Sequence, residues 1–203
     1  MNKNWLLKIA ATIEAKHGSK TRQRIFGDIQ SAPEDSESER KWFCQFINGM
    51  DELNDDRFLK TVMADRCPCG HPDFELILRD VYAESKDNKE FADRLAKDNL
   101  IEDIVTLEGN KLILTKQPFS KYGKHDHEGP FSKLCHCEIG SYAEKPISDI
   151  FCHCCTVGFL GKMFSNALGF EVKVEFVESV ITGGKACTAI VYLPEKNKVI
   201  SKN

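Results

Sequence analysis

The sequence predicts an α+β fold in which N-terminal helices pack with a C-terminal antiparallel sheet. Three observations carry that expectation. Apolar residues recur every three or four positions through most of the first hundred residues, the signature of helices with one buried face. The segment "FEVKVEF" instead alternates Phe170, Val172, Val174 and Phe176 with Glu171, Lys173 and Glu175, which is the period of a half-buried strand. In "IVTLEGNKLILTK", two β-rich runs flank Gly109 and Asn110, residues that accept the positive φ of a tight hairpin turn. A chain of 203 residues has room for one ordinary domain and a real core. The expected organisation is a single domain over 1–203, with a helical N-terminal extension (1–60) and a cysteine-rich α+β core (61–193).

Each element has its own reason. Trp5, Leu6, Ile9, Ala10 and Ile13 predict an amphipathic helix over residues 3–16. Ser36 and Glu39 form a capping-box pattern ahead of Trp42, Phe43, Phe46, Ile47 and Met50, which predicts a second helix that packs Cys44 inside it. "DDRFLKTVMADR" reads as a short helix leading into "CPCGHPD", where Pro68, Gly70 and Pro72 leave the thiols on an irregular loop. "DFELILRDVYAES" and "NKEFADRLAKDN" are helical again, the latter capped by Ser85 or Asp87. After the hairpin comes a long stretch without periodicity, from Gln117 to Phe151, of a length that calls for a ligand or metal to organise it. "TVGFLGKMFSNALG" then predicts a helix beginning near Thr156 and closed by Gly169; "TGGK" turns the chain, and "ACTAIVYLP" returns antiparallel and ends at Pro194.

Composition narrows the partners. The net charge of −3 offers no basic footprint for nucleic acid. Six Lys and Arg in residues 1–30, against Glu14 and Asp28, read as the solvated face of a helix. No apolar run approaches the roughly 20 residues that cross a bilayer, so no membrane is expected. Lys8 and Glu14 interrupt the apolar part of the N-terminal stretch, and no small-residue cleavage site follows, so the expected location is cytoplasmic.

A reducing compartment turns attention from disulfides to ligands and reactive thiols. Seven of the nine cysteines fall into three groups: Cys67 and Cys69 with His71, Cys135 and Cys137 with His136, and Cys152, Cys154 and Cys155 with His153. In an extended segment residues i and i+2 point the same way, so each Cys-x-Cys pair can present two thiolates to one ion. The leading four-ligand set is Cys135, Cys137, Cys152 and Cys154, with Cys67 and Cys69 as substitutes or a second half-site. Zinc is the expected metal, and an iron–sulfur cluster is the alternative. Cys155 stands apart, because a thiol at the start of the helix near Thr156 would have its thiolate favoured by the helix dipole, with His153 as its base. A packed cysteine is the competing reading there. "KHDHEG" gathers His125, Asp126, His127 and Glu128, which suits an oxygen–nitrogen metal site, an acid–base pair or simply an exposed polar loop. No phosphate-binding glycine loop, serine hydrolase elbow or zincin motif is present.

Cys155, Gly158, Gly169, Gly183, Gly184 and Cys187, with the intervening helix and strands, resemble the C-terminal part of two families. These are 4-vinyl reductase-type small-molecule-binding domains and the bacterial L-2-amino-thiazoline-4-carboxylic acid hydrolase-like proteins. "CPCGH", "LCHCEIG" and "CHCCTVGF" further resemble, in that order, a set of bacterial cysteine-rich proteins related to those domains. The resemblance spans roughly residues 60–193. It implies helices packed on an antiparallel sheet with a pocket between them, as in the superfamily that includes haem-based nitric-oxide sensors. The expected function is a zinc-binding protein that binds or senses a small molecule. The alternatives are a thiol- or metal-dependent hydrolase or reductase acting on a small cyclic or sulfur-containing substrate, and a metal-handling or redox-buffering protein. The exposed face of the C-terminal strand pair offers a route to a homodimer.

Overall fold

A computed structural model describes residues 3–29, 36–65, 72–97, 103–118, 120 and 129–196. Cys67, Cys69 and His71, and the His125–Glu128 group, lie outside the described residues.

Six helices precede the sheet. They are α1 (Lys3–His17), α2 (Ser19–Phe26), α3 (Ser36–Asp51), α4 (Asp56–Asp65), α5 (Pro72–Glu84) and α6 (Asn88–Lys97). The expected first helix ends at Gly18, whose φ of 83° a side-chain-bearing residue adopts only at a cost. The basic stretch that follows forms a separate helix, α2, which buries Ile25 and Phe26, half-buries Arg22 and leaves Arg24 wet. At the start of α6 the cap is Asp87: its Oδ1 accepts from the Glu90 amide at 2.8 Å, and Glu90 reaches back to the Lys86 amide at 2.8 Å. That reciprocal pair satisfies two amides a helix start would otherwise orphan. Ser85 instead donates its hydroxyl to the Val81 carbonyl at the end of α5.

Strands β1 (Asp103–Glu108) and β2 (Lys111–Lys116) form the expected hairpin, and only Gly109 of its two turn residues has positive φ, 63°. A glycine at the first central position fits the mirror-image turn that matches strand twist. Strands β3 (Lys173–Glu178) and β4 (Cys187–Tyr192) complete a four-stranded antiparallel sheet of order β1-β2-β4-β3. The chain between β3 and β4 is longer than a tight turn. It contains a 3-10 turn at Val180–Thr182, closed by Gly183 at φ 90°. The register pairs Leu112 with Val191 and Leu114 with Ala189, so alternate residues of the central strands share one buried face.

The region after β2 holds the main departures from expectation. A four-residue helix, α7 (Glu138–Ser141), interrupts it, and the last helix begins six residues early. That helix runs continuously through α8 (Ile150–Cys152), a π-helical segment (His153–Gly158) and α9 (Phe159–Leu168), to Gly169 in the left-handed conformation. A single wide turn of this kind inside a helix recurs at functional sites.

Two apolar clusters result. The first joins α1–α4 to Phe131, Cys135, Ile139, Phe151, Cys152, Cys154 and Ile181; the second packs α5, α6 and α9 on the sheet face bearing Leu112, Leu114, Val174, Ala189 and Val191. Phe159 packs against both. The N-terminal helices therefore share their apolar cluster with the cysteine-bearing segments.

Candidate functional site

The cysteines converge where the π segment crosses the end of the sheet. Cys135, Cys137, Cys152, Cys155 and Cys187 all line one cavity of about 20 Å³, room for about one water-sized occupant. Lys116, His136, Thr156, Phe176 and Ser179 complete its wall. Three distant segments contribute, and a separate piece of local structure fixes each.

Cys137 is the N-cap of α7: the Gly140 amide donates to its Sγ at 3.3 Å. Gly140 itself is squeezed. A Cβ there would sit 3.1 Å from Ile181 Cδ1 and 3.5 Å from Cys135 Sγ, so the glycine of "CHCEIG" lets both thiols turn inward. The strand ends supply the second group. Lys116 and Cys187 are antiparallel partners, and the pleat turns both toward the same face as Leu114 and Ala189. Ser179 lies 3.4 Å from Cys187 Sγ and hydrogen-bonds Cys152 as well. The π segment brings the third group: Thr156 donates its hydroxyl to the Cys152 carbonyl, and Gly158 lets the helix press on α4.

Electrostatics at the cavity run against ionised thiols. Burial, followed by the neighbouring Cys137 and Cys187, pushes Cys135 well above the usual thiol range. A hydrogen bond to Cys155 and then burial do the same to Cys137, and burial raises Cys152 despite the Ser179 hydroxyl. The contact with Cys137 pulls Cys155 down, but its contact with Cys154 and its burial outweigh that and leave it well above normal. Among the described residues that wall the cavity there is no carboxylate, and the Lys116 ammonium acts on Cys155 as a favourable charge. His136 donates Nε2–H to the Gln117 carbonyl at 2.6 Å, which fixes the ring against the cavity wall.

The expected site residues divide between the cavity and the neighbouring core. Of the leading ligand set, Cys135, Cys137 and Cys152 line the cavity, whereas Cys154 is buried in the apolar cluster of the N-terminal helices and contacts Cys155. Cys155 and Cys187 line the cavity as well. Cys155 is not at a helix start: it lies inside a continuous helix, where no free amides favour a thiolate, and its pKa moves up. His153, expected as its base, has other partners. The imidazole pairs with Asp149 at 3.3 Å and packs on Phe176, while burial depresses its pKa against the opposing pull of Asp149. Asp149 is held in turn by Lys60 at 2.6 Å. Cys44 is packed as expected, donating to the Tyr142 carbonyl at 3.5 Å.

Among the described residues no group of three or more His, Cys, Asp and Glu side chains is arranged to hold a metal ion as it stands; the thiols surround a cavity. Neither a protein-family model nor a curated protein matches the chain. Among the described residues no helix is long and apolar enough to cross a membrane.

Proposed function

We propose that the protein binds a soft metal ion, zinc by preference, at the five-cysteine cavity, and uses this centre to support the binding or sensing of a small molecule. The observation that carries this reading is the convergence of five thiols from three separate chain segments on a space the size of one small occupant. A single ion taking three or four of these sulfurs matches the ligand chemistry of zinc. Binding requires the thiols to leave their mutual contacts and close on the ion. It also replaces their protons with a divalent charge, which offsets the cost of burying the thiolates of Cys135 and Cys152 and replaces the Cys155 contact that, ahead of burial, raises the pKa of Cys137. The ligands in this reading are Cys135, Cys137, Cys152 and Cys155, with Cys187 as the fifth candidate. The element order of hairpin, helix and second strand pair supports the likeness to the 4-vinyl reductase and nitric-oxide-sensor architecture. A thiol nucleophile at Cys155 loses its support, because buried thiols with raised pKa are poor nucleophiles.

Protein purified under anaerobic conditions should carry about one zinc per chain and show no visible absorbance. Absorbance in the visible would replace zinc by an iron–sulfur cluster. Cys154→Ala should retain the metal, whereas Cys135→Ala and Cys152→Ala should lose it. Metal-free protein whose thiols all alkylate freely would end the proposal.

A further inference from the structure

A second cavity opens beside the thiol centre. Its volume is about 290 Å³, and it shares Lys116 and Cys187 with the smaller one. That size lies at the lower end of small-molecule sites, roughly 300 Å³ and upward. Its walls divide by chemistry. Phe131 and Leu134, from the segment before α7, and Val180 of the 3-10 turn give it an apolar lining, and two lysines, Lys116 and Lys185, line it as well. Leu134 is 40% exposed although it borders a cavity, so it presents apolar surface that an occupant would take out of water.

Among the described residues that line this cavity the formal charge is all positive, with no carboxylate. Glu178 Oε2 accepts from the Lys185 backbone amide at 3.1 Å. Two lysines above an apolar slot select an occupant with a negative head and an apolar body, because the head gains a charge pair and the body gains burial.

We infer that this cavity binds a small organic anion, a carboxylate on an apolar chain or ring, with its head between Lys116 and Lys185 and its body against Phe131, Leu134 and Val180. The inference rests on the small-molecule half of the proposed function and deepens it by naming the ligand class. Lys116 borders both cavities, so a bound anion shares its counter-charge with the thiol centre. Cys187 also borders both, so the ligand lies directly against the thiol centre.

Octanoate and octanol separate charge from chain. In calorimetric titrations octanoate should saturate one site and bind at least about tenfold more tightly than octanol, the effect of roughly one charge pair. Lys185→Met, a change at an exposed position, should remove most of that difference, weakening octanoate about fivefold or more while leaving octanol as it was. Lys116→Met should do the same, and Leu134→Arg should weaken octanol. Equal affinity for acid and alcohol, or no saturable octanoate binding up to about 10 mM (about 2.7 kcal/mol short of a 0.1 mM site), overturns the ligand class. Zinc measured on the same samples keeps the two readings apart. Octanoate binding without zinc removes the metal centre and leaves the anion site standing; zinc without octanoate binding does the reverse.

Discussion

Gly158→Ala should be the most damaging single methyl group that can be added near the site. A Cβ at this position would lie 2.4 Å from the Ala64 carbonyl oxygen, 2.9 Å from Ala64 Cα and 3.0 Å from Ala64 C. All three are backbone atoms, so no side chain can rotate out of the way. Since ordinary contact begins near 3.4 Å, α4 and the π segment must part by about 1 Å. A gap of that size forfeits roughly a quarter to a half of the dispersion energy along the contact. The side chains affected include Leu59, Val62 and Met63, which are buried on α4. Overpacking of this kind costs on the order of 3 kcal/mol. For a chain of this length that is a fall in melting temperature of about 6–12 °C.

Gly161→Ala supplies the opposite expectation one turn along the same helix. Its Cβ would meet only Val174 Cγ2, at 3.9 Å, so the methyl fits and the chain loses the entropic cost of glycine in a helix, about 0.5–1 kcal/mol. Thermal melts followed by circular dichroism test both variants together. Gly158→Ala should melt well below the parent and Gly161→Ala at or above it. A Gly158→Ala protein melting within about 2 °C of the parent, or two variants falling together, would refute the close-approach argument. Free-thiol titration on the same samples should show Gly158→Ala exposing more reactive sulfur, because Cys155 and Thr156 ride on the displaced turn.

Three further outcomes follow from the helices and the hairpin. Asp55 accepts Lys16 at 2.6 Å and His17 at 3.0 Å, tying α1 to α4, and the Lys16 hydrogen bond first of all holds its carboxyl below the usual value of 3.8. A carboxylate with depressed folded-state pKa stabilises above its unfolded pKa and loses that contribution as pH falls through the folded value. Asp55→Asn should therefore melt below the parent at about pH 7 and alongside it at about pH 2.5; a constant gap would refute the linkage. Asp87→Ala removes the acceptor for the Glu90 amide and should cost about 1 kcal/mol, read as a drop of roughly 2–4 °C. Gly109→Ala puts a methyl on a residue at φ 63° with nothing within 4 Å of its Cβ. Any loss of stability there, expected near 1 kcal/mol, measures backbone strain alone.

The fold was legible where one periodicity ran undisturbed. The helices bearing Trp5, Phe43 and Phe91 and the strands around Val174 and Val191 each carry a pattern that burial alone satisfies. The misses share a cause in tertiary contact. Nothing local to "FCHCCTVG" signals that the helix starts at Ile150 or widens into a π turn, because that turn answers to Ala64, nearly a hundred residues away. Cysteine spacing singled out Cys135, Cys137 and Cys152, which line the cavity, but by treating the segment as extended it paired Cys152 with Cys154 rather than with Cys155, the one that lines it. In a helical turn i and i+2 face apart while i and i+3 share a side, which unites Cys152 with Cys155. Lys116 lacked any motif, and Cys187 stood only among the residues of the family likeness; the signal that joins them is the strand register that makes them partners.

The division between Cys154 and Cys155 sharpens what the cysteine-rich turn is for. Adjacent residues of one helix point to different sides, and here those sides are the core of the N-terminal helices and the cavity at the end of the sheet. A change of spacing on one side is therefore transmitted to the other through a single turn whose width Gly158 sets against α4. An ion that draws Cys152 and Cys155 together pulls on the same turn, whereas an anion that draws Lys116 toward the larger cavity pulls on β2, whose end borders both spaces. The two proposed ligands thus meet at one group of thiols from two different elements. The π turn is irregular, seated between two apolar clusters and held by a glycine contact, so a displacement there is felt in both clusters.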